Sequence, residues 1–259
     1  MNKTVLITGA SEGIGLEFAK IFAKEKYDLV ITARNETKLN ELADEIKNKH
    51  NVNVRVLAKD LLIQNAGEEI FNELKNENVV TDVLVNNAGL GVFDNYWNVD
   101  LHDEQNMLQV NILVLAQLTI LFAKDMVNRG GGKILNVAST AAFQPGPTMP
   151  GYYASKSFVL RYSQAINFEM RRKGVQVSTL CPGPTITEFQ TRAKMNGTNM
   201  FKRRFAMNAE DVASIGYEGL MKGSSVIITG GLNWLAAMAS RIVPSKISMR
   251  VVNWLLTKK

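Results

Sequence analysis

Short apolar runs alternate with longer stretches of helical periodicity along most of this chain, and no other feature restricts its fold so strongly. Helices of roughly 10–20 residues between strands specify parallel β-α-β units, with helices covering both faces of the sheet. No linker or repeat interrupts the series. We therefore predict an α/β fold, a single doubly wound domain over residues 1–259. Its seven parallel strands are predicted at Thr4–Thr8, Asp28–Thr32, Val52–Ala58, Val83–Val85, Lys133–Val137, Val175–Leu180 and Val226–Thr229.

The intervening segments carry apolar residues at the spacing of an α-helix. The predicted helices are Leu16–Lys26, Glu36–Asn48, Gln64–Asn76, 103–128, Tyr152–Arg172 and 209–222.

Composition limits the class of protein. The chain is 46% hydrophobic and 21% charged, which is ordinary for a globular protein with a core. Its one cysteine, Cys181, excludes an internal disulfide and indicates a reducing compartment. The opening residues do not resemble a signal peptide, and no uninterrupted apolar run approaches the ~18–20 residues of a membrane span. We expect a cytoplasmic protein.

The formal net charge of +6 would suit an anionic partner. Nucleic acid is disfavoured as that partner, because the chain has no long basic tract and no interleaving of aromatic and basic residues. His50 and His102, the two histidines, lack neighbours spaced like metal ligands. We therefore predict neither a metal site nor a Ser-His-Asp triad.

A glycine-rich turn, residues 8–15, follows the first strand and opens the first helix. Glycines let a backbone approach a pyrophosphate closely, and a helix N-terminus contributes free N–H groups and a positive dipole end. The alternative is a tight turn with no ligand. Arg34 closes the second strand, where dinucleotide folds place the residue that meets the adenosine ribose. Its guanidinium suits a 2′-phosphate and favours NADP(H), unless it is only a solvated arginine at a helix start.

Tyr152 and Lys156 lie four residues apart and therefore on one face of a helix. A neighbouring ammonium favours the phenolate, so we expect the pKa of Tyr152 to fall below its usual ~10. Such a tyrosine can give or take a proton near neutral pH. Ser139 ends an apolar run and could place its hydroxyl beside that phenol. By itself, a Tyr-x-x-x-Lys match is common by chance.

Together with Asn86-Asn87-Ala88-Gly89 and Pro182-Gly183, these motifs resemble the short-chain dehydrogenase/reductase family from residue 4 to about 187. The resemblance implies a Rossmann-type nicotinamide-dependent oxidoreductase that reduces a ketone or aldehyde to the alcohol. It implies that Tyr152 delivers the proton and Ser139 holds the carbonyl oxygen. Lys156 would lower the pKa of the tyrosine and grip the nicotinamide ribose.

Further roles follow from the same resemblance. Asn111 would anchor a proton-relaying water, unless it is a core asparagine that hydrogen-bonds a helix backbone. Glu12 departs from NADP-preferring members, which often have a basic residue there; its carboxylate must point away from the phosphate or pair with Arg34. Tyr153 would serve packing. The implied cofactor contacts, besides Tyr152 and Lys156, are Gly9, Ser11, Gly13, Ile14, Gly15, Arg34, Asp60, Leu61, Asn87, Ala88, Gly89, Pro182, Gly183, Thr185 and Thr187.

A long insertion, residues 184–208, departs from the alternation and is expected to form a lid over the substrate cleft. Its apolar residues, with Phe93, Phe143 and Met149, either line the pocket or form core beneath the lid. If they line the pocket, the substrate is a hydrophobic carbonyl such as a 3-oxoacyl compound. The basic residues either steer an acidic carrier or form a solvated face. The apolar and basic residues of the insertion are Phe189, Met195, Met200, Phe201, Phe205 and Met207, and Arg192, Lys194, Lys202, Arg203 and Arg204.

Residues 244–257 predict an amphipathic helix with two stripes. The polar stripe carries Lys246, Arg250, Asn253 and Thr257, and the apolar stripe carries Ile247, Val251, Trp254 and Leu255. We favour packing on a neighbouring subunit or capping of the cleft, and keep contact with an anionic membrane as the alternative. The family resemblance implies a homodimer or homotetramer. A chain of this fold could also bind NADP(H) without turnover, as a sensor or scaffold.

Overall fold

The computed structural model describes residues 2–201, 206–240 and 242–257. Within these residues the strands are β1 (Thr4–Thr8), β2 (Asp28–Ala33), β3 (Val54–Ala58), β4 (Val83–Asn86), β5 (Gly132–Val137), β6 (Val175–Cys181), β7 (Thr185–Ile186), β8 (Met207–Asn208) and β9 (Val226–Ile228). The α-helices are α1 (Gly13–Lys24), α2 (Glu36–His50), α3 (Ala66–Asn76), α4 (Leu101–Leu108), α5 (Leu115–Asn128), α6 (Pro150–Met170), α7 (Glu188–Arg192), α8 (Ala209–Lys222), α9 (Gly231–Ala239) and α10 (Ser245–Leu256).

Seven of the strands form one parallel sheet in the order β3-β2-β1-β4-β5-β6-β9. Its central strands are almost wholly buried, as expected when helices cover both faces. This confirms the predicted fold class. The strand order reverses between β1 and β4, and ligands of doubly wound folds bind at the carboxyl ends of strands at such a point. The glycine turn after β1 lies at this edge.

Two apolar layers hold the helices against the sheet. On one face α1 buries Phe18 and Phe22. On the other face α5 buries Leu118 and Phe122, which pack with the apolar residues of α3. Burying each such side chain stabilises the fold by about 1.5–3 kcal/mol. The sheet edge that carries the site is therefore held in place by packed helices on both faces.

One continuous helix runs over Leu101–Asn128 and contains a π-helical segment, Gln109–Val114, between α4 and α5. By length and composition alone it is apolar enough to cross a membrane, but half of its most apolar window is buried inside the molecule. A core helix passes the same test. π-Helical turns are rare and often occur at functional sites, and this one contains Asn111.

The C-terminal part differs most from the sequence-based expectation. Helix α9 was not predicted, because Leu232, Trp234, Leu235 and Met238 spread apolar residues around the helix and leave no polar stripe to define a period. Strands β7 and β8 form a two-residue ladder that ties the start of the insertion to its end. Lys202, Arg203, Arg204 and Phe205, predicted parts of the insertion, lie outside the described residues.

Candidate active site

The glycine turn after β1 is bound to the turn after β4 by a compact set of hydrogen bonds. The backbone N–H groups of Asn87 and Ala88 each donate to Thr8 Oγ1 at 3.0 Å. The Asn87 side-chain amide donates to the carbonyl oxygens of Thr8 at 2.9 Å and Gly9 at 3.2 Å. Thr8 is buried, so its hydroxyl holds the two turns at a fixed separation.

The start of α1 has the form of an anion-binding site. Gly9 and Gly13 have φ of +67° and +58°, a region in which side chains other than glycine are strained. No side chain caps the helix, so its first N–H groups remain available. A Cβ on Gly13 would lie 3.1 Å from the Thr187 side chain, so the turn approaches the start of the insertion closely. These features fit the pyrophosphate of a dinucleotide.

A cavity of about 980 Å³ runs from this turn to the insertion. All the predicted site residues line it except Gly15 and Asn111. Gly15 lies instead against the Gly9 carbonyl and the Asn87 amide, so it serves close packing of the turn. The predicted residues that the cavity brings together are Gly9, Ser11, Gly13, Ile14, Arg34, Asp60, Leu61, Asn87, Ala88, Gly89, Ser139, Tyr152, Lys156, Pro182, Gly183, Thr185 and Thr187.

Glu12 finds partners other than the expected Arg34. Its carboxylate forms an ion pair with Arg192 of α7, and Lys38 Nζ lies 3.5 Å from its other oxygen. Arg34 is exposed and has no ion pair among the described residues. The residues that neutralise Glu12 are far from it in sequence, and no local pattern could have identified them. Lys38 and Lys59, which also line this end of the cavity, were likewise missed.

Ser139, Tyr152 and Lys156 meet at the carboxyl end of β5. Ser139 caps a short 3₁₀ helix: its Oγ accepts from Ala141 N at 3.1 Å and donates to Pro182 O at 3.3 Å. Lys156 is buried, and its Nζ donates to Val137 O at 3.0 Å. That nitrogen lies 5.7 Å from the centre of the Tyr152 ring. The arrangement puts a phenol, a hydroxyl and an amine on one wall of the cavity.

The pKa of Tyr152 is shifted upward, whereas the sequence predicted a downward shift. Burial raises it to about 12, and hydrogen bonding with Ser139 opposes this rise only in part. Burial also lowers the pKa of Lys156 to about 8. The same dry surroundings therefore disfavour the charged ammonium that was expected to favour the phenolate. Near pH 7 the phenol therefore keeps its proton and can donate it.

Asn111 lies behind this wall and connects three segments. Its Oδ1 accepts from Leu90 N at 2.9 Å, and its Nδ2 donates to Leu90 O at 2.9 Å and to Ser155 Oγ at 3.1 Å. Ser155 Oγ in turn donates to Tyr152 O at 2.7 Å. The amide thus joins the loop after β4 to the first turn of α6, the turn that carries the phenol.

Tyr153 packs with Met149 and Met195 in an apolar cluster that borders the cavity, as expected for a packing residue. Its ring is nearly perpendicular to that of Tyr152, with centroids 6.2 Å apart. Burial raises the pKa of its phenol further than that of Tyr152. Tyr153 therefore provides a neighbouring phenol with which Tyr152 can be compared.

The far end of the cavity is apolar, and its walls only partly match those predicted. Met149 and four residues of the insertion line it, whereas Phe93 and Phe143 pack outside it. Helix α9 adds apolar lining that the sequence did not indicate, because α9 was not predicted. Helix α10 adds Leu255, in agreement with the alternative that this helix caps the cleft. The insertion residues are Phe189, Met195, Met200 and Phe201, and the residues added by the C-terminal helices are Leu232, Ala236, Ala237 and Leu255.

Comparison with known proteins agrees with this geometry. Residues 3–197 match a family model described as short chain dehydrogenase. The chain is 33% identical over 188 residues to the human very-long-chain 3-oxoacyl-CoA reductase, a match that covers 70% of this chain and 59% of that protein. It is 33% identical over 222 residues to sulfoacetaldehyde reductase 2 of Chromohalobacter salexigens, covering 83% and 87% of the two chains.

A solved structure of a short-chain dehydrogenase from Sphingobium yanoikuyae in complex with NADPH resembles the whole fold. Its TM-score is 0.83 at 30% sequence identity, and the alignment covers 93% of this chain and 94% of that one. The likeness therefore covers more of the chain than the residues 3–197 that the family model matches.

Proposed function

The chain belongs to the short-chain dehydrogenase/reductase family of oxidoreductases, and on that basis we propose that it is an NADPH-dependent reductase of hydrophobic ketones or aldehydes. One observation carries the proposal: a single cavity joins the glycine turn, the Ser139–Tyr152–Lys156 wall and an apolar end.

When bound, the nicotinamide would supply a hydride to the carbonyl carbon. Tyr152 holds its proton at neutral pH and is assigned as the donor to the carbonyl oxygen as that oxygen gains negative charge. Ser139 is assigned to hold the same oxygen. Lys156 is assigned to bind the cofactor ribose, and Asn111 to position the turn of α6 that carries Tyr152.

Charges at the Arg34 end of the cavity support a preference for NADP(H). Arg34 is free to form a bidentate contact with a 2′-phosphate. The Glu12 carboxylate, which would repel that phosphate, is neutralised by Arg192 and Lys38. The NADPH complex of the Sphingobium protein gives further support.

The substrate class follows from the lining of the cavity. Methionine and phenylalanine side chains at the far end adapt to irregular apolar shapes. The name of the human relative supports a 3-oxoacyl compound. An acidic carrier remains part of this proposal, with Lys194 exposed beside the cavity; equal efficiency with a free 3-oxo ester and its coenzyme A thioester would remove it.

The test is a panel of apolar carbonyls assayed by loss of NADPH absorbance, repeated with NADH. We expect turnover with NADPH and a fall of at least about 100-fold in Tyr152→Phe with cofactor binding retained. Tyr153→Phe is the matched control and should keep most of the activity. Wild-type turnover in Tyr152→Phe refutes the assigned donor. NADPH binding without turnover on any carbonyl would favour a sensor or scaffold instead.

We also propose a homodimer or homotetramer. Helices α5 and α6 expose large apolar side chains that a second copy could cover, Ile120, Phe158 and Phe168. Light scattering after gel filtration measures the mass directly, and a monomer at micromolar concentration would contradict this proposal.

A further inference from the structure

Large apolar side chains are exposed on both C-terminal helices, α9 and α10, and on the turn between them. Among the described residues of 232–254, seven large apolar side chains are exposed, and Ile242 is 88% accessible. On α10 they follow the spacing i, i+4, i+7 and form one stripe. Monomeric soluble proteins seldom leave many large apolar groups together in water, so such a surface indicates a partner. The seven residues are Leu232, Trp234, Leu235, Ile242, Ile247, Val251 and Trp254.

The outer stripe is not needed to hold α10 in place. The helix is anchored through its other face, where Ser248, Val252 and Leu256 are buried. Val252 and Leu256 pack in the cluster that contains Ala193 and Met195 of the insertion. Asn199 of the insertion donates its side-chain amide to Trp254 O at 3.0 Å. Ile247, Val251 and Trp254, the apolar stripe predicted for this helix, are exposed, so they are available to something outside the chain.

Tryptophan placement indicates what kind of partner this is. The three tryptophans of the chain, Trp97, Trp234 and Trp254, are all more than half exposed. Trp97 lines a small surface groove together with Asn253 of α10, so it lies beside the same helix. Indole rings have an apolar body and one polar N–H, and they are enriched where hydrocarbon meets water at a membrane surface.

Charge complementarity selects the occupant. After Glu218 the sequence contains no acidic residue and six basic ones. Two of these, Lys246 and Arg250, are exposed on α10 beside the apolar stripe. A two-fold contact with a second copy through this face would place like charges against each other. A membrane with an apolar interior and negatively charged headgroups would bind both the apolar stripe and the basic residues beside it.

We propose that the exposed faces of α9 and α10 dock onto anionic lipid membranes, with the tryptophans in the headgroup region and Lys246 and Arg250 on the lipid phosphates. This goes beyond the proposed reductase activity and does not require it. The surface also borders the cavity: Leu232 lines the cavity and is 72% exposed, so it lies at the rim. Docking would place the apolar end of the cavity next to the bilayer.

Vesicle binding of the full chain tests the proposal. Sedimentation with sucrose-loaded vesicles would compare phosphatidylcholine alone with an equal mixture of phosphatidylcholine and phosphatidylglycerol. Each basic residue near an anionic surface strengthens binding by about fivefold. We therefore expect binding to the anionic vesicles to be at least roughly 25-fold tighter, with a blue shift of tryptophan emission.

Surface variants distinguish vesicle binding through this face from non-specific adsorption of the protein to lipid. Trp234→Ser/Trp254→Ser should weaken binding by at least about tenfold, and Lys246→Gln/Arg250→Gln by about 25-fold on anionic vesicles only. Val80→Ser, which removes an exposed apolar side chain before β4, and Lys24→Gln/Lys47→Gln, which removes two exposed charges from α1 and α2, are the matched controls. Both controls should bind like the wild type.

Three results would overturn the proposal. One is no sedimentation with either vesicle. A second is equal binding to neutral and anionic vesicles that neither surface variant weakens. The third is a wild type that does not bind vesicles together with a tryptophan variant that forms a smaller oligomer than the wild type. That result would make this face an interface between copies of the chain. NADPH binding by each variant confirms that it is folded, whatever the outcome for catalysis.

Discussion

The hydroxyl of Thr8 offers a direct test of how the cofactor edge is held together. Thr8→Val keeps the shape of the side chain but removes the oxygen that accepts from Asn87 N and Ala88 N. Ala88 N would lose its partner, which costs about 1–3 kcal/mol, and partial access from the cavity favours the lower part of that range. Asn87 N keeps a second hydrogen bond, to Val85 O at 3.1 Å, so its loss adds only about 0.5–1 kcal/mol. We therefore expect a loss of about 2–3 kcal/mol in the free energy of unfolding.

Urea unfolding followed by circular dichroism measures this loss. With a slope near 3 kcal/mol per molar urea, the midpoint should fall by roughly 1 M at unchanged slope. Thr8→Ser keeps the hydroxyl and loses only a methyl group, so it should cost about 1 kcal/mol. NADPH affinity should fall in the valine variant, because the two turns lose their fixed separation. Equal midpoints for the valine and serine variants would refute the role given to this oxygen.

Three further predictions concern the same site. Because the folded-state pKa of Lys156 is lowered to about 8, the unfolded chain binds more protons than the folded chain above that pH. The stability of the wild type should therefore rise between about pH 8 and 9, and that of Lys156→Met should not. Thermal unfolding at several pH values would contradict this if stability depended on pH equally in both proteins. Asn111→Ala leaves the backbone N–H and C=O of Leu90 without partners. Urea unfolding should show a loss of about 2–4 kcal/mol in the free energy of unfolding, and turnover should fall as well. A stable, fully active variant would contradict this. Arg34→Gln should weaken NADPH binding by about 10–100-fold in fluorescence titration while leaving NADH unaffected; an equal loss for both cofactors would mean that Arg34 does not meet the 2′-phosphate.

The part of the site that the sequence predicted depends on local backbone geometry. Gly9 and Gly13 adopt positive φ, and Tyr152 and Lys156 share a face because helical spacing requires it. Parallel strands then bring the ends of β1, β4 and β5 to one edge, so motifs distant in sequence line one cavity. Residue type and spacing contain all of this information.

The remaining features depend on tertiary contacts that have no local pattern. Glu12 pairs with Arg192, which is 180 positions away, and α9 has no polar stripe to define its period. On α10 the sequence predicted the two stripes but not which residues pack against the rest of the chain, which are Ser248, Val252 and Leu256. The side of a short amphipathic helix that packs is decided by the partner it meets, here the insertion around Asn199.

The pKa of Tyr152 shows the same limit in energetic terms. Spacing indicated correctly that an amine would be near the phenol, since Lys156 Nζ lies 5.7 Å from the ring centre. Spacing says nothing about desolvation, which penalises the charged forms of both groups: it raises the pKa of Tyr152 and lowers that of Lys156. A phenol that keeps its proton near pH 7 is compatible with the proton-donor role that we propose for Tyr152.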